Sequence, residues 1–252
     1  MKNKIKNIFG ENLDVLIEGN LNSDRILIFV HGFGTDKNEG FATFLDLAHY
    51  LKYDFTTIRF DLSGYGKSEG EDYEFQFQKA AGDVDSVIRY AKGNHPNKEI
   101  FIVAHSLGTF VVSILSPHKI KKTVFTSIPN SNTDFIIREL KKRIISKGGR
   151  INENNLTFYP RASGVVQVIG KDFWRTLKTF SPIEYIEEFG NKTKLRIYKP
   201  KNDDVLENRY FNEYKKIKNI EYIELEGNHN FTKKEDRNKL FNSIKEFFLN
   251  NK

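Results

Sequence analysis

Ile100-Phe101-Ile102-Val103-Ala104-His105-Ser106-Leu107-Gly108-Thr109 is the stretch on which the reading of the chain turns. Its opening residues are β-branched, aromatic and apolar, the composition of a buried strand. A serine follows, flanked by His105 and Leu107, with Gly108 two places on. Phe110-Val111-Val112-Ser113-Ile114-Leu115 then continues as a buried helix. Strand, sharp turn and helix place Ser106 at an apex, with its hydroxyl pushed out above a sheet. Small residues on either side, Ala104 and Gly108, permit so tight a turn. Taken alone, the pentapeptide also describes a plain βα turn, so the remainder of the chain has to decide.

The composition narrows the classes. The chain has 252 residues, 38% of them hydrophobic and 13% aromatic, enough for a real core. No apolar run approaches the length of a membrane span. The basic N-terminus, Met1-Lys2-Asn3-Lys4-Ile5-Lys6, lacks the apolar region and cleavage site of a signal peptide, so a cytoplasmic location is the default expectation. There are no cysteines, which excludes disulfides, thiolate chemistry and cysteine-ligated metals. The net charge of +7 is spread over scattered lysines with no dense basic tract, so a solvated surface is expected and not a nucleic-acid partner.

Outward from the opening stretch the chain alternates strands and helices. Residues 4–19 read as a hairpin, Ile26-Leu27-Ile28-Phe29-Val30 as a strand covered on both faces, and Glu39 to Lys52 as a helix. Phe55 to Phe60 is a strand, Phe75 to Lys92 a helix, and Lys122 to Ser127 another strand. The β-α-β-α-β-α order argues for right-handed crossovers and a mostly parallel sheet. The glycine-rich loop Asp61 to Gly70 lacks the spacing of a phosphate cradle. Residues 128–182 break the rhythm with an amphipathic helix, Asp134 to Lys147, and bulky apolar groups, and read as an inserted cap or lid within one domain spanning 1–252. Lys194 to Tyr198 is a strand, Glu207 to Lys218 a helix, Ile220 to Leu225 an edge strand and Lys234 to Leu249 the last helix.

A serine hydroxyl needs a base, and the base an orienting acid. In an open α/β sheet such groups gather beyond the carboxyl ends of the strands. There the chain places Ser106, then Asp203 and Asp204, then His229, in the order Ser, Asp, His. Of six histidines, His49 falls in a helix, His95 in a loop before a strand, and His118 past the helix after Ser106. His31 and His105 adjoin the proposed loops without an independent position. Only His229 follows a late strand behind a glycine. Pro200, three residues before Asp203, favours Asp203 over Asp204. The expected oxyanion donors are the backbone amides of Phe33, in His31-Gly32-Phe33-Gly34, and of Leu107.

These pieces resemble α/β-hydrolase-fold serine hydrolases over nearly the whole length. The matching segments are His31-Gly32-Phe33, Arg59 to Ser68, Ala104-His105-Ser106-Leu107-Gly108, Asn202-Asp203 and Gly227-Asn228-His229. Within that group the chain is most similar to small cinnamoyl or feruloyl carboxylesterases, with departures at Ala104 and Pro200. The resemblance implies a cofactor-free and metal-free hydrolase of small, aryl or short-acyl carboxylic esters. The same triad also serves thioesterases, lysophospholipases, monoacylglycerol lipases and acyltransferases. A non-catalytic binding module of the same fold is the alternative from another class. It would be marked by a missing triad member.

Overall fold

The computed structural model describes residues 2–116, 120–206 and 209–250. His118 lies outside them. An eight-stranded sheet holds β1 (Lys2–Lys6), β2 (Asn12–Gly19), β3 (Arg25–Val30), β4 (Thr56–Phe60), β5 (Glu99–His105), β6 (Ile120–Thr126), β9 (Lys194–Pro200) and β10 (Ile220–Leu225). Their spatial order is β1-β2-β4-β3-β5-β6-β9-β10. The hairpin β1-β2 and the β2-β4 pair are antiparallel, and every other pair is parallel. β4 and β5 lie on opposite sides of β3, so the winding reverses there. Such a reversal opens a crevice at the carboxyl ends of the strands.

Strand alternation sorts the core into two layers. Leu27, Phe29, Phe101 and Val103 face one side, where α1 (Thr43–Tyr50) and α7 (Lys234–Leu249) supply Phe44, Leu47, Phe241, Ile244 and Phe248. Ile26, Ile28, Val30, Ile100, Ile102 and Ala104 face the other, against α2 (Phe77–Asn94), α3 (Gly108–Ser113) and α6 (Pro182–Gly190). The continuous apolar runs of β3 and β5 therefore mark strands covered on both faces.

Between β6 and α6 the chain forms α4 (Thr133–Ser146), a separate antiparallel hairpin of β7 (Thr157–Pro160) and β8 (Val166–Ile169), and α5 (Lys171–Thr179). The insert is docked at named points. Val168 N–H donates to Asp72 Oδ2 at 2.7 Å, while inside the insert the buried Trp174 donates from Nε1 to Thr157 Oγ1 at 3.2 Å. Gly170 passes so close to residue 73 that a Cβ there would meet the Tyr73 carbonyl at 2.0 Å.

Two sequence expectations need correction. The helix expected from Glu39 begins at Thr43, because Glu39, Phe41 and Ala42 have positive φ and make a separate 3-10 turn that leaves Phe41 exposed. The helix expected over Glu207 to Lys218 is absent from its described part, residues 209–218; residues 207 and 208 lie outside the described set. Tyr210 has φ of 60°, its carbonyl takes the Ser131 hydroxyl, and Phe211, Tyr214 and Ile217 are buried at three-residue steps, so only a 3-10 turn, Tyr214–Lys216, forms. The β7-β8 hairpin and α6 are elements that the periodicity does not announce.

Gly108 sits where α3 starts against β3. A Cβ there would lie 2.5 Å from the His31 carbonyl oxygen and 2.8 Å from that of Val30. Both are backbone atoms of a buried strand end and cannot rotate away. Gly108→Ala is expected to cost about 1–3 kcal/mol through overpacking, and thermal denaturation should show a fall of several degrees. An unchanged midpoint would mean that this contact does not constrain the turn.

Candidate active site

Ser106 occupies the left-handed region, with φ of 50°, immediately after β5. A non-glycine residue there costs on the order of 1 kcal/mol or more, and surrounding contacts must hold it. They do so on both sides. Ser106 N–H donates to the Thr126 carbonyl at 3.0 Å, and its own carbonyl accepts Thr109 N–H at 3.0 Å and the Thr109 hydroxyl at 2.6 Å. Ala104 stays in register with Val30 and Phe125, so its methyl is absorbed within the ladder.

The structure brings Ser106, His229 and Asp203 into one hydrogen-bonded chain. His229 Nε2 lies 3.1 Å from Ser106 Oγ, and Nδ1 lies 3.1 and 3.0 Å from the two Asp203 oxygens. A carboxylate only accepts, so Nδ1 carries the hydrogen and Nε2 is free to accept from the serine hydroxyl. The adjacent aspartates divide the work. Asp203 faces the ring and also accepts Val205 and Leu206 N–H groups, while Asp204 accepts the His229 backbone N–H at 3.1 Å. Burial pushes the Asp203 carboxyl up, but the His229 bond and charge, the Leu206 N–H and Lys199 outweigh it. The carboxyl is therefore held below the usual range.

Two proposed donor amides lie beside this chain. A Cβ at Gly32 would come within 3.1 Å of Ser106 Cβ, so the loop after β3 runs against the serine. Among the described residues, neither Phe33 N–H nor Leu107 N–H has a protein acceptor. The loop is pinned from several directions. His31 Nδ1 donates to the Gly32 carbonyl at 2.8 Å, and its Nε2 accepts Leu62 N–H at 3.0 Å. Asp61 accepts Lys37 Nζ at 2.6 Å and the N–H groups of Lys37 and Lys67. The Asp61 to Gly70 loop therefore braces the donor loop. Phe33 stacks on Phe173 of α5 at 4.6 Å.

Four neighbours escape a reading of the sequence. Glu39, at φ of 60°, accepts Gly32 N–H at 2.6 Å. Ser127, at φ of 51°, donates to the His229 carbonyl at 2.6 Å. Lys199 Nζ stands 3.8 Å from Asp203 Oδ2 with both side chains buried, and Arg161 donates to the Phe33 carbonyl at 2.7 Å. Nothing at these positions departs from ordinary loop, strand or helix-start chemistry, so no sequence signal marks them. Ser106, His229, Asp203 and Asp204 all line a cavity of about 890 Å³, whose far wall comes from α4, α5 and the β7-β8 hairpin. Among the described residues no cluster of His, Asp or Glu is arranged to hold a metal, and no helix is long and apolar enough to cross a membrane.

Comparison with known proteins agrees with this architecture. Residues 22–139 match the family model described as serine aminopeptidase, S33. The chain has the fold of the α/β hydrolases. Its fold is similar to that of Est1E from Butyrivibrio proteoclasticus, solved with ferulic acid bound, with a TM-score of 0.76 and 18% identity over 98% of each chain. An esterase of Pyrococcus furiosus is similar with a TM-score of 0.71 and 17% identity, over 98% of this chain and 89% of that one. A putative hydrolase from Agrobacterium vitis aligns over 97% of both chains, with a TM-score of 0.72 and 15% identity. At such identities the likeness is one of fold. No curated protein matches the chain.

His105 gives the protein a pH-dependent stability. Its ring lies 4.9 Å from that of His229. Its Nδ1 meets Thr126 Oγ1 at 2.9 Å, while buried Nε2 has no partner among the described residues. Burial pulls its pKa down from 6.5 to about 4. The unfolded chain therefore binds this proton first, and stability falls as pH drops below about 6.5 and levels off below about 4. The full loss is on the order of 3 kcal/mol. His105→Gln is expected to flatten urea-denaturation stability between those pH values, and an unaltered slope would contradict the assignment.

Proposed function

We propose that the protein is a serine carboxylic-ester hydrolase acting through an acyl-enzyme. The observation that carries this reading is the continuous chain from Ser106 Oγ through His229 to Asp203, set at the floor of a cavity beside two unengaged amides. Ser106 attacks the acyl carbonyl while His229 Nε2 takes its proton, and Asp203 holds the imidazole in the required tautomer and stabilises its cation. The Phe33 and Leu107 amides donate to the tetrahedral oxyanion, with one such donor supplying roughly 3–4 kcal/mol. His229 then passes its proton to the leaving alkoxide. A water deprotonated by the same imidazole releases the acid and restores the serine.

In this reading residues 128–182 are a lid on a single catalytic domain, and α4, α5 and the hairpin shape the acyl or alcohol site. The ferulic acid bound to Est1E fits the same chemistry, since ferulic acid is the acid product of feruloyl ester hydrolysis. An aminopeptidase reading needs an unengaged carboxylate for the substrate ammonium. Among the described residues, Glu39, Glu139, Asp203 and Asp204, the carboxylates that line the cavity, are each held by protein donors.

Ser106→Ala should abolish hydrolysis of 4-nitrophenyl acetate and butyrate with the circular dichroism spectrum unchanged. Asp203→Asn, which favours the wrong tautomer, should lower kcat by about three to four orders of magnitude. Undiminished turnover in Ser106→Ala would overturn the reading.

A further inference from the structure

The cavity above Ser106 carries charges of both signs, and the protein treats them differently. Its carboxylates are engaged: Asp203 by His229, Asp204 by the His229 N–H, Glu39 by the Gly32 and Gly40 N–H groups, and Glu139 by Lys142 and Arg138. The cations on the same walls are Lys142, Arg143, Lys147 and Arg161. Among the described residues only Lys142 of these has a carboxylate partner. Arg143 donates to the Val205 carbonyl and Arg161 to the Phe33 carbonyl. A neutral carbonyl orients a guanidinium and leaves its charge in place.

These three cations are brought together by the insert. Arg143 and Lys147 are four residues apart at the C-terminal end of α4, which sets them on one side of the helix. Lys147 Nζ lies 5.9 Å from the centroid of the buried Tyr159 ring, and Arg161 Cζ lies 4.6 Å from that same centroid. A helix C-terminus favours cations, which suits Arg143 and Lys147. It says nothing of Arg161, which follows β7 in the hairpin. Arg143 and Arg161 are half-buried and Lys147 is exposed; like charges on one wall repel one another, and an anion placed among them relieves that repulsion. A guanidinium is the side chain best shaped to grip a carboxylate through two parallel hydrogen bonds.

We propose that Arg143, Lys147 and Arg161 bind a carboxylate on the substrate, so that the protein favours esters carrying a carboxylate remote from the scissile bond. This rests on the ester-hydrolase reading above. The charged end would sit under the insert while the ester carbonyl reaches Ser106.

The test compares kcat/KM for matched pairs of esters. On the acyl side these are the mono-(4-nitrophenyl) esters of glutaric, adipic and suberic acids against 4-nitrophenyl valerate, hexanoate and octanoate. On the alcohol side the pair is 4-acetoxybenzoate against phenyl acetate. At least one anionic ester is expected to exceed its neutral counterpart by tenfold or more, with the ratio shrinking as salt is added. Arg161→Met and the double variant Arg143→Met with Lys147→Met should each cut that ratio several-fold, while Arg161→Lys retains most of it. If cations at these places serve only the helix terminus or the Phe33 loop, the variants lower both series alike and the ratio stays put, which would overturn the proposal. Neutral esters preferred in every pair would do so too. A wild-type enzyme that hydrolyses neither series would defeat the ester-hydrolase reading itself, a failure distinct from hydrolysis without charge preference.

Discussion

The turn at Ser106 is the constraint on which the rest of the structure depends. A serine at φ of 50° is not a conformation that the residue adopts unaided. It is held by the Thr126 carbonyl on one side and the Thr109 groups on the other. The turn also needs the next element to leave at once against β3, which Gly108 permits because no Cβ stands between it and the His31 carbonyl. The same crowding recurs from the other side, where Gly32 lets the following loop run alongside the serine. β3 and β5 are neighbours at the reversal of winding, so their carboxyl ends converge on one crevice. Backbone strain, two close approaches and the sheet topology are thus one arrangement seen at different scales.

Around that turn the molecule builds a fixed electrostatic frame. His229 is positioned by its ring, through Asp203, and by its backbone, through Asp204 and Ser127. Behind Asp203 stands Lys199, whose buried ammonium adds a favourable field at the carboxylate. The donor loop is held with equal redundancy, by His31, Glu39, Asp61 and the aromatic stack of Phe33 on Phe173. The last of these comes from the insert, so the wall of the cavity and the proposed oxyanion side of the site are mechanically joined. Electrostatic stabilisation depends on such preorganisation, because donors already aimed need not reorganise as charge develops.

How much of this is legible in the amino-acid order varies with the physics involved. The β-branched runs of β3 and β5 announce strands buried on both faces, and the stripes of α2 and α7 announce their helices, because burial writes a period into the sequence. Ser106, Asp203 and His229 are findable because each must follow a strand end. The segment after Asp204 is not findable in the same way. Its Phe211, Tyr214 and Ile217 spacing fits a helix face as well as a tight 3-10 turn, and the long-range tie of Ser131 to the Tyr210 carbonyl settles the matter. The start of α1 is misread for a similar reason, since Phe41 continues an apolar stripe that the positive φ values at Glu39, Phe41 and Ala42 interrupt. Glu39 and Arg161 reach the loop after β3 through tertiary contacts, and no local pattern encodes those.

The central claim is that Ser106 is the nucleophile, and a covalent trap tests it most directly. After treatment with a fluorophosphonate, intact-mass measurement should show one phosphonyl adduct per chain. Peptide mapping should place it on Ser106, with labelling lost in His229→Ala, where the base is removed while the serine remains. A protein that stays unmodified, or an adduct mapping to another residue, would contradict the account.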